Sequence, residues 1–214
     1  MDSRVTRLGL LLCVLLAFPM LAVGQNPPKK EKLHRIYPPA IDAAAGAKAI
    51  EMFDTNKDGK ISGAELDKCP GLKAAIDQID KAGTGGITAD MITARIKAWK
   101  DSKLGRMSMG IRVTHNGQPL EGAEVKFVPE KFLGDKIPTA TGKTDVNGMA
   151  MLTVPPDPAK PNFPPGVAPG LYRVEITKAG ENIPAKYNTE TVFGQEAAQG
   201  AKGLQEGIKF DLKY

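Results

Sequence analysis

Apolar positions recur at helical spacing from Ile41 onward. Ala44, Ala47, Ile50, Met52 and Phe53 form a stripe that predicts a helix entering a polar loop. Leu66 resumes the pattern beyond that loop, and Pro70-Gly71 is expected to stop this short exit helix. A further run spans Leu72 to Ile79, with Ala75, Ile76 and Ile79 on one face. Another spans Met91 to Trp99, with Ile92, Ile96 and Trp99 inward. Between Asp101 and Gly110 the period changes to alternation. Ile111, Val113 and His115 alternate with Arg112 and Thr114 before an Asn116-Gly117 turn, and Ala123, Val125 and Phe127 follow. Asp145-Val146-Asn147-Gly148 marks a second turn before Met149 to Val154. Leu171 to Ile176, parts of Ile183 to Phe193, and Ile208, Phe210 and Leu212 complete the strand pattern. The segment from Pro155 to Gly170 carries so many prolines, each without an N–H, that it predicts an exposed connection. The expectation is an α+β chain of two domains, a helical unit over 41–101 and an antiparallel β-sandwich over 108–214.

The amino terminus changes the picture of where the chain works. Arg4 and Arg7 precede an almost unbroken apolar run from Leu8 to Leu21, and Ala22-Val23-Gly24 places small residues at a cleavage point. This pattern predicts a signal peptide over 1–24, a mature start at Gln25, and a secreted, periplasmic or cell-envelope location. The alternative is an N-terminal membrane anchor. Pro19 and a run shorter than the roughly 20 apolar residues of a span oppose it. Cys13 lies inside the apolar run rather than at the cleavage point, so lipidation is not expected. Residues 25–40 form a proline- and lysine-rich linker in which His34 reads as a surface residue.

Hydrophobic residues make up 42% of the 214, a globular composition, and the formal charge of +5 falls to about +4 after cleavage. The lysines are scattered among acids, which argues against a nucleic-acid partner. Cleavage leaves Cys69 alone. It has no internal disulfide partner and reads as a small buried hydrophobe beside Pro70, with intermolecular pairing the lesser alternative.

The most specific chemistry lies in the twelve positions from Asp54 to Glu65. Asp54, Asn56, Asp58 and Ser62 place oxygen side chains at positions one, three, five and nine, Gly59 stands at six and Glu65 at twelve. A hard cation takes about six to eight oxygens at about 2.3–2.6 Å, and a curled loop supplies them from alternate residues. The expected Ca²⁺ ligands are the side chains of Asp54, Asn56 and Asp58, the Lys60 carbonyl, Ser62 directly or through water, and both oxygens of Glu65. Ile61, at the eighth position, is expected to pair with a partner loop. Asp80 to Met91 repeats the outline with Gly85 at the turn, Ile87 at eight and Thr88 at nine. Its donors have largely gone: Ala82 has no side-chain oxygen, Thr84 is neutral and Met91 replaces the glutamate. Ca²⁺ affinity there is expected to collapse, leaving a structural partner.

These residues resemble a calcium-binding EF-hand pair over Ile41 to Lys100, with the second loop degenerate. The later half resembles the carboxypeptidase regulatory-like, transthyretin-like β-sandwich. The residues that carry this likeness are Asn116 to Val125, Gly142 to Gly148 and Pro169 to Val174. Ile183 to Tyr187 is similar to a segment of small exported planctomycete-type bacterial proteins. The resemblance implies a binding or structural module, since in carboxypeptidases this domain accompanies the catalytic one. No peptidase domain or zinc-site spacing is seen, and His34 and His115 lie in different segments.

The reading is therefore a secreted calcium-binding protein. Ca²⁺ acts as a structural ion, and the β-sandwich binds or assembles with a protein or a cell-envelope polysaccharide. Three carboxylates on one loop imply an affinity on the order of micromolar to millimolar. A calcium-dependent sensor that captures a partner is the alternative, disfavoured by the broken second loop. An uncharacterised hydrolase is the weaker one. No Ser/His/Asp set, Cys/His pair, Walker loop or metal triad supports an enzyme. No membrane span is expected after signal cleavage.

Overall fold

A computed structural model describes residues 37–156, 158 and 165–214. The expected signal peptide over 1–24, most of the 25–40 linker with His34, and residues 157 and 159–164 of the proline-rich connection lie outside the described residues. Among the described residues, no helix is long and apolar enough to cross a membrane.

Among the described residues, five helices come first: α1 (Ala45–Phe53), α2 (Ala64–Asp67), α3 (Pro70–Ala74), α4 (Ile76–Ile79) and α5 (Ala89–Asp101). Pro70 does not merely stop the helix before it. It occupies the first turn of α3, where its missing N–H would have had no helical partner. The expected run from Leu72 to Ile79 breaks at Ala75, whose φ/ψ of −100/5° leaves the helical region. Thr88 caps α5 by accepting from the Met91 amide at 3.3 Å. Helix α1 lies so close to α5 that a Cβ at Gly46 would stand 2.3 Å from the Ala89 carbonyl oxygen.

The strands are β1 (Met109–His115), β2 (Gln118–Pro119), β3 (Glu124–Pro129), β4 (Ala140–Lys143), β5 (Met149–Leu152), β6 (Gly170–Thr177), β7 (Gly194–Ala197) and β8 (Ile208–Leu212). One sheet has the order β4-β3-β6-β7. In the other, β1 is flanked by β2 and β5 on one side and by β8 on the other. Every pairing is antiparallel except β8 on β1, which is parallel. The alternation expected within Ile183 to Phe193 is not a strand. Ala185–Tyr187 forms a 3₁₀ turn, and the strand follows at Gly194.

Inward side chains of the two sheets meet, with the Phe127 and Phe210 rings edge-to-face at 6.3 Å. One side of the stack is closed by reciprocal bonds between Thr141 and Thr153, at 2.8 and 2.9 Å.

The helices form a third layer on the other face of the β4-β3-β6-β7 sheet. Leu171 pairs with Glu196 across β6 and β7, and the Glu130 amide bonds the Leu171 carbonyl at 2.9 Å. These three residues therefore lie in one row. Strand alternation sends their side chains away from the inner face, where Tyr172 and Val174 point. Helix α5 meets Glu196 with the Arg95 guanidinium, Nε to Oε1 at 2.6 Å and Nη2 to Oε2 at 2.8 Å, and with the Trp99 indole N–H at 2.8 Å. Glu130 accepts from the Gly71 amide at 2.9 Å, with the Cys69 thiol beside it. Burial pushes the Glu130 carboxyl above its ordinary range and pushes the Cys69 thiol up, so Cys69 is a packed and unreactive group. A Cβ at Gly194 would fall 1.9 Å from the Pro70 carbonyl oxygen, so α3 sits directly on the β7 backbone. The described helices and sheets thus belong to one compact unit.

Candidate metal centre

Asp54 follows the last turn of α1, with its amide bonded to the Ile50 carbonyl at 2.9 Å. The next residues curl around its carboxylate. Oδ1 accepts the Asp58 amide at 3.2 Å and Oδ2 the Gly59 amide at 2.9 Å. Gly59 has φ +83°, a conformation that a side chain resists, so the sharp turn falls where the glycine is. Asn56 Oδ1 also accepts the Asp58 amide, at 3.0 Å, and Asp58 Oδ1 accepts the Lys60 amide at 2.9 Å.

Glu65 closes the loop from the first turn of α2. Its Oε1 accepts the Thr55 amide at 2.7 Å, the Thr55 hydroxyl at 2.9 Å and the Asn56 amide at 3.2 Å, while Oε2 accepts the Ser62 amide at 3.1 Å. The Ser62 amide, followed by Thr55 and Asn56, pulls the carboxyl down to about 2 and keeps it ionised. Asp54, Asn56, Asp58 and Glu65 are thus tied into one hydrogen-bonded loop, which Lys60 and Ser62 join through their amides.

Among the described residues, no three His, Cys, Asp or Glu side chains converge as a metal-binding group. Two of the six residues expected as ligands are Asn and Ser and one acts through a carbonyl, while Glu65 is turned onto four donors of its own loop. The donor set is nonetheless all oxygen, which fits a hard cation and not a soft one.

The second loop stands back to back with the first. Ile61 and Ile87 exchange both backbone bonds, at 2.9 and 3.0 Å, and both are fully buried. Asp80 repeats the role of Asp54, with Oδ1 accepting the Thr84 amide and Oδ2 the Gly85 amide, each at 2.9 Å. The Thr84 hydroxyl adds a bond to Asp80 at 3.1 Å and reaches the Gly86 carbonyl at 3.3 Å. The Thr84 amide, ahead of the other contacts, lowers the Asp80 carboxyl. Position twelve is Met91, which brings no oxygen side chain.

Two features escaped the sequence reading. Thr55, at a loop position with no expected ligand role, gives Glu65 two of its four bonds. Glu196, a lone acid among glutamine and alanines, receives Arg95 and Trp99. The one hint was that a buried tryptophan N–H needs an acceptor. In comparisons with known proteins, no protein-family model, no curated protein and no solved structure matches the chain.

Proposed function

We propose that this chain is an exported calcium-binding protein of EF-hand type. One structural Ca²⁺ is held by Asp54, Asn56, Asp58, Ser62 and Glu65 through side-chain oxygens, and by Lys60 through its carbonyl. The observation that carries this reading is the return of the Glu65 carboxylate across the loop to Thr55, Asn56 and Ser62. It draws the twelfth position onto the same turn as Asp54 and Asp58, the closure a loop-bound hard cation needs. The ion would supply positive charge to three carboxylates that otherwise repel one another, and the loop would gain rigidity.

A structural ion is preferred to a switch for two reasons. The second loop completes itself with the Thr84 hydroxyl, and its exit helix α5 is pinned to the sheet by the bonds of Arg95 and Trp99 to the buried Glu196. Opening the helical layer would strand Glu196 without its partner. The two-sheet part is proposed to be a transthyretin-like binding or assembly module for an extracellular protein or envelope polysaccharide. Calorimetry of the mature chain against Glu65→Ala tests the assignment: Ca²⁺ binds the first and is lost in the second. Equal binding by both sinks it.

A further inference from the structure

One side of the two-sheet stack is closed by the Thr141–Thr153 bridge, and the other carries the outer edge of β8. The polarity of that edge follows from the bonds of β1. Val113 donates to the Gly148 carbonyl at 2.8 Å and accepts from the Leu120 amide at 3.1 Å, so its backbone faces β5 and β2. Arg112 and Thr114, one step away, therefore face β8. The Asn116 amide bonds the Leu212 carbonyl at 2.9 Å, which places the backbone groups of Ile208, Phe210 and Leu212 toward β1. Lys209 and Asp211 turn their N–H and C=O groups the other way, where no described strand pairs with them. Beside this edge runs a groove of about 570 Å³ whose lining includes Val192, Phe193, Lys209 and Phe210, with Val192 57% exposed.

The side chains along the edge are of opposite sign. Ile208, Phe210 and Leu212 are buried on the inner face, whereas Lys209 and Asp211 share the outer one. Asp211 Oδ1 accepts from the Thr114 hydroxyl and the Gly117 amide, at 2.7 and 2.9 Å, while Oδ2 faces Lys213 at 3.8 Å. Lys209 has no ion-pair partner among the described residues.

We propose that this edge is a self-association surface on which β8 pairs antiparallel with β8 of a second copy, centred on Phe210. In that register Lys209 lies opposite the partner's Asp211, and Asp211 opposite the partner's Lys209. Both outward-facing residues then form hydrogen-bonded pairs and both charge pairs are attractive. A register centred on Lys209 or on Asp211 keeps the outward groups matched but sets like charges directly opposite, Lys209 against Lys209 or Asp211 against Asp211 of the second copy. The pairing stops at Lys213, whose amide and carbonyl are already taken by the Tyr187 hydroxyl at 2.8 and 2.9 Å. The contact is isologous and short, so it gives a weak dimer, with Kd on the order of micromolar or above.

Sedimentation velocity of the mature chain from about 1 µM to about 1 mM tests this, a range that brackets such a Kd. The expected result is a monomer–dimer equilibrium. Lys209→Asp places like charges opposite each other twice and weakens association by about tenfold or more. The charge-swapped Lys209→Asp/Asp211→Lys protein recovers it. Lys209→Pro removes an outward N–H that the β8–β1 ladder does not use, so it keeps the fold and lowers association further. A chain monomeric throughout overturns the proposal, including one whose Lys209 and Asp211 amides resist exchange because another segment of the same chain covers them. A dimer indifferent to both Lys209→Asp and Lys209→Pro overturns it equally.

Discussion

The two loops share one frame and differ in what completes it. In both, a leading aspartate accepts amides from four and five positions on, Asp54 from Asp58 and Gly59 and Asp80 from Thr84 and Gly85. In both, the central glycine has positive φ, 83° at Gly59 and 82° at Gly85. At position five the first loop has a charged Asp58, and the second has Thr84, which donates its hydroxyl back to Asp80. At position twelve the first has Glu65 folded across the turn, and the second has Met91. Their exits differ too. Helix α2 spans four residues, whereas α5 spans thirteen and reaches Glu196 in the sheet. The second loop is thus anchored through its exit helix, while the first gathers the carboxylates of Asp54, Asp58 and Glu65 around one turn. Where the second loop has no acid at position five, the Thr84 hydroxyl bonds Asp80 in its place.

The largest effect is expected where the anchored loop meets the sheet. Glu196→Ala leaves the part-buried Arg95 guanidinium and the buried Trp99 N–H without their shared acceptor and should cost about 3–5 kcal/mol. Chemical denaturation would register this, and a loss within experimental error would mean that α5 is not held as described. Next, Glu65→Gln removes the charge that closes the first loop and should weaken Ca²⁺ binding by about 100-fold. Asp80→Asn should leave both affinity and stoichiometry intact while lowering thermal stability. A calorimetric titration that reversed these two results would exchange the roles of the loops. Repair of the second loop with Ala82→Asp and Met91→Glu should add a second, weaker Ca²⁺ equivalent, about tenfold below the first.

The smallest effect is in acid. The folded Glu65 carboxyl is lowered from 4.5 to about 2, and Asp80 is lowered from 3.8. Both bind fewer protons folded than unfolded, so their contribution is present above the unfolded values and disappears as pH falls through the folded ones. Glu130 runs the other way: its raised carboxyl contributes below 4.5 and loses that contribution as pH rises through its folded value. Acid titration of metal-free protein should therefore show stability falling from about pH 4.5 toward 2. The fall should be shallower in Glu65→Gln and, separately, in Asp80→Asn.

Much of this was legible along the chain, because side-chain periodicity reports which face is buried. Ile92, Ile96 and Trp99 are inward on α5, and Ile61 and Ile87 pair across the loops as their eighth positions predicted. The change from helical to alternating period falls between Asp101 and Met109, where α5 ends and β1 begins. What escaped depends on contacts distant in sequence. Nothing local marks Glu196 as the partner of Arg95, and Glu130 as the acceptor for Gly71 could not be read before the layers were stacked. The break at Ala75 and the parallel approach of β8 likewise arise from packing and chain path. Thr55 carries no sequence signal because it sits between the expected ligand positions, yet its amide and hydroxyl both bond Glu65.

The most direct test is a Ca²⁺ titration followed residue by residue through backbone amide resonances. Gly59 bonds Asp54 and Gly85 bonds Asp80 at the same 2.9 Å, so the two amides are matched probes of the two loops. The expected result is a large shift of Gly59 and its neighbours that saturates at one equivalent, with Gly85 nearly unmoved. Resonances that stay fixed to millimolar Ca²⁺, or shifts centred on Gly85, would contradict a single structural calcium in the Asp54–Glu65 loop.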